Sequence, residues 1–307
     1  MARKIVAAQY GEPTDSVEVI DVPVPEPDAD QVVVRVRSAG VNPFDAKQVR
    51  GQVGADPDKL PLPLGGEAAG VVSAAGADSG FAVGDEVVVY PASGAFADYV
   101  IAPSSNVHAK PTGLDDDAAA ALLLAGVTAA DVLATLGVTG DDTLLVHGGA
   151  GAVGSIVTAR AVAAGATVIA TASAANHDHL RALGAVPVSY RGDLEAAVRA
   201  AAPTPVTAVA DTVGTDQAID VSLALVPAER IVGIAAWGRT DDGIVVVGGG
   251  TEESRRHRRE AVPGLLADAA AGRIVVEIAG EFPLERAADA LVAISGPHPR
   301  GKYVLHP

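Results

Sequence analysis

Apolar and polar residues change rhythm twice along the chain. From Ile5 to Pro111, short β-branched stretches are separated by Gly and Pro turns. They fall at Ser16 to Val22, Gln31 to Val36, Gly70 to Ser73, Glu86 to Tyr90 and Ala97 to Ile101, the pattern of an irregular β-rich domain. After Pro111-Thr112-Gly113 the pattern switches. Asp115 to Asp117 place negative charge at the start of a helix that runs through AAAALLLAGVTAADVLATL. Strands and helices then alternate, with strands expected at Thr143 to His147, Thr167 to Thr171, Val186 to Val188, Val206 to Ala210, Arg230 to Ala235 and Ile244 to Val247. Helices are expected between them at Ala152 to Ala164, Asn176 to Leu183, Leu194 to Ala201 and Asp216 to Leu225. Such alternation predicts a doubly wound parallel sheet, because each crossover needs a helix to bring the chain back. The β style resumes at Arg273 to Glu277 and Lys302 to Leu305, which predicts that the C-terminal stretch returns to the first domain.

Composition narrows the classes. The chain has 307 residues, 49% hydrophobic and 20% charged, enough for two packed domains and unlike a disordered chain. It contains no cysteine, which removes disulfides, thiolate nucleophiles and cysteine-held zinc. The formal charge of −16 argues against nucleic acid and anionic membranes as partners. The basic run Arg255 to Arg259 sits among Glu252, Glu253 and Glu260 and reads as a solvated helix face with local charge pairs. The longest apolar run, Ala118 to Ala130, is too short to span a bilayer, and the first residues lack a signal-peptide core. A soluble, cytoplasmic protein is the expectation.

The segment TLLVHGGAGAVGSIVTARAVAAG places G-x-G-x-x-G as Gly149, Gly151 and Gly154 between an apolar strand and an amphipathic helix. A pyrophosphate needs bare backbone at such a turn, and close packing of helix on strand needs the third glycine. The turn Gly149, Ala150, Gly151, Ala152, Val153 and Gly154 is therefore read as a dinucleotide cradle. The following strand ends Ile169-Ala170-Thr171-Ala172-Ser173 without the acid that would accept from an adenosine ribose 2′-hydroxyl. That permits a 2′-phosphate and favours NADPH, with Ser173, Asn176, His177, Arg181 and the pair Tyr190-Arg191 as candidate groups near it.

Together the order and spacing of GVNPFDAKQVRG, GGEAAGVV, VGDEVVVY, GAFADYV, LLLAGVTAADVL, the glycine turn, VADTVG and RGKYVL resemble the zeta-crystallin-like quinone oxidoreductases of the medium-chain dehydrogenase/reductase superfamily. The resemblance implies an α/β fold: a GroES-like β-rich catalytic domain from residues 1–116 and 256–307, and a Rossmann NADP-binding domain from 117–255. Where the zinc-dependent branch has a metal-binding Cys and a His, this chain has Asn42 and Gly66, and Glu67 alone cannot hold catalytic zinc. A metal-free, NADPH-dependent reductase of quinones or α,β-unsaturated carbonyls is implied.

Within that reading Asn42 is the catalytic polar group whose amide donates to an oxygen, and Phe44, Tyr90 and Trp237 line the substrate pocket. Thr128 and Lys302 approach the cofactor, and Asp45 caps a helix beginning near Ala46. The segment Val53 to Leu64 holds no tyrosine to act as proton donor, which favours quinones. An enoyl or 2-alkenal reductase of a biosynthetic pathway and a non-catalytic NADPH-binding redox sensor remain as alternatives. Pairing of two chains along Ile244 to Val247 predicts a homodimer.

Overall fold

The computed structural model describes Met1 to Pro307, and the chain divides into two compact units. The first comprises Met1–Leu124 and Leu266–Pro307, the second Ala125–Leu265. No helix is long and apolar enough to cross a membrane.

The first unit is GroES-like and β-rich. It contains β1 (Ala2–Ala7), α1 (Pro13–Ser16), β2 (Val17–Val22), β3 (Gln31–Val41), α2 (Pro43–Val49), β4 (Leu62–Pro63), β5 (Ala68–Ala75), β6 (Glu86–Val89), β7 (Tyr99–Pro103), β8 (Val107–Ala109) and α3 (Asp116–Ala120). The long helix α4 (Leu123–Leu136) leads into the second unit. That unit is Rossmann-like, built from β9 (Thr143–His147), α5 (Ala152–Ala163), β10 (Thr167–Ala172), α6 (His177–Ala182), β11 (Val186–Ser189), α7 (Leu194–Ala201), β12 (Ala208–Asp211), α8 (Asp216–Leu225), β13 (Ile231–Gly233) and β14 (Val245–Val246). Helix α9 (Glu252–Ala270) leads back to β15 (Ile278–Pro283), α10 (Ala287–Ser295) and β16 (Lys302–His306).

The main sheet of the first unit runs β15-β16-β3-β5-β6-β8, with β7 also on β3. Strand β3 is its spine. Its middle alternates buried Val34 and Val36 with exposed Arg35 and Arg37, and its last four residues, Ser38 to Val41, are all buried. Strand β16 pairs antiparallel with that buried end, Tyr303 opposite Val41 and Leu305 opposite Ala39. Ile5, Val34, Leu64, Phe96, Leu291 and Leu305 share one core.

In the second unit the strands run β11-β10-β9-β12-β13-β14, every pairing parallel. Both faces of such a sheet are covered, so β9 is buried at all five positions and its middle, Leu144 to Val146, is an apolar run rather than an alternation. Leu145, Ile169, Val209 and Ile231 from the strands pack with Val198 and Ile219 from α7 and α8.

Several expectations move. The break expected at 116/117 lies at Leu124 because α3 packs on β3 and β5 of the first unit. The break expected at 255/256 falls inside α9, at Leu265. The helix expected as one piece from Asp115 to Asp117 through Leu136 is interrupted at Ala121 and Leu122. No strand forms at Arg273 to Glu277, because the N–H groups of Arg273 and Ile274 close the end of α9 on Asp268 O; the strand starts at Ile278. The expected Ile244 to Val247 strand shortens to Val245–Val246. The run Arg255 to Arg259 is not wholly a solvated face. Arg255 and Arg259 pair with Glu252 and Arg256 with Glu253, but His257 and Arg258 turn to Asp131, a carboxylate with no exposed surface that also accepts from Ser254.

Close backbone crossing of β3 and β5 depends on Gly70, where a Cβ would lie 2.1 Å from the carbonyl oxygen of Arg35. Gly70→Ala is therefore expected to cost about 3 kcal/mol in urea unfolding. Gly66→Ala, whose Cβ would meet only Leu124 at 3.7 Å, is expected to stay within about 0.5 kcal/mol of the parent.

Candidate functional site

Two groups of polar residues stand out, one in each unit. In the first, Asn42 ends the buried stretch of β3 and starts α2 as its N-cap. This corrects the expected helix start near Ala46. Pro43 at the first helical position needs no N–H partner, and Asp45, three residues into the turn, accepts from the Asn42 backbone N–H through Oδ2 at 2.8 Å. Asp45 therefore braces the start of α2 from inside the helix rather than preceding it.

Asn42 is 2% exposed, Glu67 0% and Lys302 4%. Their side chains form one network. Asn42 Nδ2 donates to Glu67 Oε1 at 2.9 Å and to Gly40 O at 3.3 Å, while its Oδ1 accepts from Lys302 Nζ. The same ammonium reaches Glu67 Oε1 at 3.3 Å, and Glu67 Oε2 accepts from the Leu124 N–H at 2.8 Å. Both amide hydrogens of Asn42 are thus engaged inside the protein, a correction to the expectation of a free amide donor. An ammonium has three N–H donors, so Lys302 retains one beyond these two bonds. The sequence alone marks Glu67 only as an insufficient zinc ligand; its place in GGEAAG gives no local hint of a lysine 235 positions away.

The second group surrounds the glycine turn. Gly149 and Gly154 are demanded by packing: a Cβ on Gly149 would sit 2.7 Å from the Cβ of Ala170, and one on Gly154 2.2 Å from Gly148 O. Gly151 differs. It is exposed, caps α5, and its Cβ would meet only Gly148 O at 3.3 Å. The turn therefore leaves open space over the first turn of α5, where backbone N–H groups have no intrahelical partner and favour an anion. Beneath it, Thr171 Oγ1 accepts from the Gly148 N–H at 3.1 Å, and Thr171 O from the Gly149 N–H at 3.0 Å. His147, 1% exposed, lies against Thr171 Oγ1 (3.5 Å) and Ser222 Oγ (3.2 Å). Burial pushes its imidazole down to about 4, so it is neutral at pH 7. On the neighbouring strand end, Asp211 takes the N–H groups of Val213 and Gly214 at 3.2 and 2.9 Å. Burial nevertheless raises its carboxyl. His147, Thr171 and Asp211 were not singled out in the sequence, because a buried polar residue at a strand end has no local signature.

Ser173 and Tyr190 follow the carboxyl ends of β10 and β11, and His177 opens α6 just after Ser173. With the glycine turn after β9, they lie at the same end of three adjacent strands. Ser173 Oγ accepts from Asn176 Nδ2 at 3.3 Å, and His177 Nε2 is buried without a hydrogen-bond partner. Tyr190 is 43% exposed and Trp237 57%, the latter lying beside Gly248 after β13. Thr128 is buried on α4, Phe44 is exposed at the start of α2, and Tyr90 is half-buried at the end of β6.

Zinc does not fit this donor set. At the Asn42 and Glu67 positions the oxygens already accept from N–H groups, and Gly66 supplies no ligand, whereas catalytic zinc takes about three protein ligands. Elsewhere, Asp117, Glu281 and His306 approach one another, but His306 turns Nε2 to Asp117 at 2.7 Å and Nδ1 toward Glu281 at 3.8 Å.

The alcohol dehydrogenase GroES-like domain model matches residues 28–112, and the zinc-binding dehydrogenase model residues 183–305. A quinone-oxidoreductase homolog of the Spinacia oleracea chloroplast is 34% identical over 142 residues, 43% of this chain and 43% of that protein. The match thus spans less than half the length of that relative. The structure of the quinone oxidoreductase from Coxiella burnetii is 29% identical, with a TM-score of 0.83 and full coverage of both chains. That of Escherichia coli quinone oxidoreductase complexed with NADPH is 25% identical, with a TM-score of 0.86 over 99% of this chain and 100% of the other.

Burial of neutral His147 makes stability depend on pH. The folded imidazole protonates near 4 and the unfolded one near its ordinary value of about 6.5. Its contribution is therefore complete above about pH 6.5 and is lost as pH falls towards 4. Relative to His147→Asn, the parent is expected to lose roughly 3 kcal/mol over that window, measured by urea unfolding at a series of pH values.

Proposed function

Because this chain belongs to the quinone oxidoreductase family of the medium-chain dehydrogenase/reductase superfamily, we propose that it is a zinc-free reductase that binds NADPH and reduces a quinone or an α,β-unsaturated carbonyl. The observation that carries the reading is the open space over Gly151 at the carboxyl end of β9. The strand order reverses between β9 and β12, the place where open α/β sheets bind nucleotides.

NADPH, when bound, supplies the hydride. The chain's own residues do the rest. The first turn of α5, over Gly149, Ala150, Gly151, Ala152, Val153 and Gly154, would hold the pyrophosphate, and the Thr171 bonds to Gly148 and Gly149 hold that turn in shape. Strand β10 ends without a carboxylate to repel a 2′-phosphate, and Ser173, His177 and Tyr190 are the groups that meet it. Thr128 would approach the cofactor from α4. In the first unit Lys302, steadied by Asn42 and Glu67, stabilises the oxygen that becomes negative as the acceptor is reduced. Phe44, Tyr90 and Trp237 provide apolar surface. A quinone suits this set, since no tyrosine stands in Val53 to Leu64 to protonate a carbon, and reduced quinone oxygens protonate readily in water.

The test is NADPH consumption over a panel of quinones and enones, with fluorescence titration of both nucleotides. NADPH is expected to bind at least about tenfold more tightly than NADH, near 1.4 kcal/mol; equal affinity would remove the NADPH assignment. Gly151→Val is expected to abolish nucleotide binding without unfolding the chain, since Gly151 is exposed and a Cβ there would meet only Gly148 O, at 3.3 Å. Tight binding with no turnover on any acceptor would point instead to a redox sensor.

We also propose a homodimer formed along β14, the last strand of its sheet, where Val245 is 37% exposed. Edge pairing about a two-fold axis would satisfy its open backbone groups. Light scattering is expected to report a dimer or a multiple of one, weakened by Val246→Pro, which removes a ladder donor. A monodisperse monomer at micromolar concentration would exclude it.

A further inference from the structure

Charge inside the first unit does not balance. Asp45 and Glu67 are both fully buried, and one ammonium, that of Lys302, is buried with them. Glu67 uses both oxygens, taking bonds from Asn42 Nδ2, Lys302 Nζ and the Leu124 N–H. Asp45 accepts at Oδ2 from the Asn42 N–H, but its Oδ1 is buried and makes no well-formed hydrogen bond, the Gly65 N–H acting on the carboxyl only weakly. An ionised carboxylate with one bare oxygen is the costliest arrangement available in such a place, and the cation that would relieve it is bound to Glu67 and Asn42.

We propose that Asp45 holds a proton in the resting protein and thereby positions Lys302: the neutral acid leaves the ammonium on Asn42 and Glu67, and the ionised one draws it away from them. Asp45 acts through Lys302 and is a positioning residue. The functional half of this statement rests on the reductase reading above; the protonation half does not. Burial pushes the Asp45 carboxyl up to about 7; the Asn42 N–H, the charge of Lys302 and the Gly65 N–H work against the shift, and the negative charge of Glu67 adds to it. Helices α1 and α10, which also pack on α2, bring Asp15 and Asp289. Asp289 pairs with Arg286 at the surface, and Asp15 lies on the exposed side of α1. On α2 itself Lys47 is exposed, and Arg50, at its end, is taken by Glu12.

The experiment is carboxyl carbon NMR on the full chain labelled at aspartate, followed across pH together with the Lys302 ammonium signal. One aspartate resonance, absent in Asp45→Asn, is expected to titrate with a midpoint near 7, and the Lys302 signal is expected to shift with the same midpoint. Glu67→Gln, which removes the competing negative charge, is expected to lower that midpoint by at least about one unit. A resonance that stays ionised down to pH 5, or a midpoint unmoved in Glu67→Gln, overturns the proposal. If the chain reduces quinones or enones, kcat/KM is expected to fall about tenfold per pH unit above the midpoint, and Asp45→Asn is expected to lose that basic limb. Persistence of the limb in Asp45→Asn overturns the positioning role. Absence of turnover on every acceptor defeats the reductase reading and leaves the carboxyl titration to decide whether Asp45 holds its proton.

Discussion

A single buried carboxylate ties together four separate stretches of the first unit. Glu67, in the turn before β5, binds the start of α2 through Asn42, the C-terminal strand through Lys302 and the start of α4 through the Leu124 N–H. Burying a carboxylate and an ammonium is a poor way to gain stability, because desolvation consumes most of the attraction. It is an effective way to define an arrangement, since removing any partner leaves an uncompensated charge in the interior. The seating of α2 and the position of the one buried lysine are tied to satisfying that carboxylate.

The second unit obeys a different constraint, the closeness of backbone to backbone. Gly149 and Gly154 exist because strand, turn and helix meet with no room for a Cβ. Gly151 is not needed for that purpose, and the space it leaves faces outward. Thr171 fixes the turn from below through two bonds, and neutral His147 lies behind it. Shape at this turn is set by what is missing from two residues, whereas shape in the other unit is set by where charges are allowed to rest.

These two kinds of constraint differ in how far they can be read from sequence. The parallel strands were legible because each is a short apolar run between turn residues, and β9 matches its expected limits at Thr143 and His147. The glycine spacing was legible because its three members lie within six residues. The bond from Lys302 to Glu67 was not, because no local pattern announces a partner from the other end of the chain. The same reason explains the inward turn of His257 and Arg258, drawn by Asp131 across more than a hundred residues. The strand misplaced at Arg273 to Glu277 shows a competition of another sort: the residues have strand character, but the end of α9 takes their first N–H groups.

The place of β16 between β15 and β3 has a consequence for the order in which the molecule can assemble during synthesis. The second unit is continuous, so all its residues are available once Leu265 has been added. The first unit must wait for Lys302 to His306. Until then the edge of β3 at Ala39 to Val41 stands without its partner, and Glu67 stands without its cation. A nascent chain therefore carries an open strand edge of the kind that pairs promiscuously. For the whole of that interval its protection rests with whatever holds the growing chain apart from its neighbours.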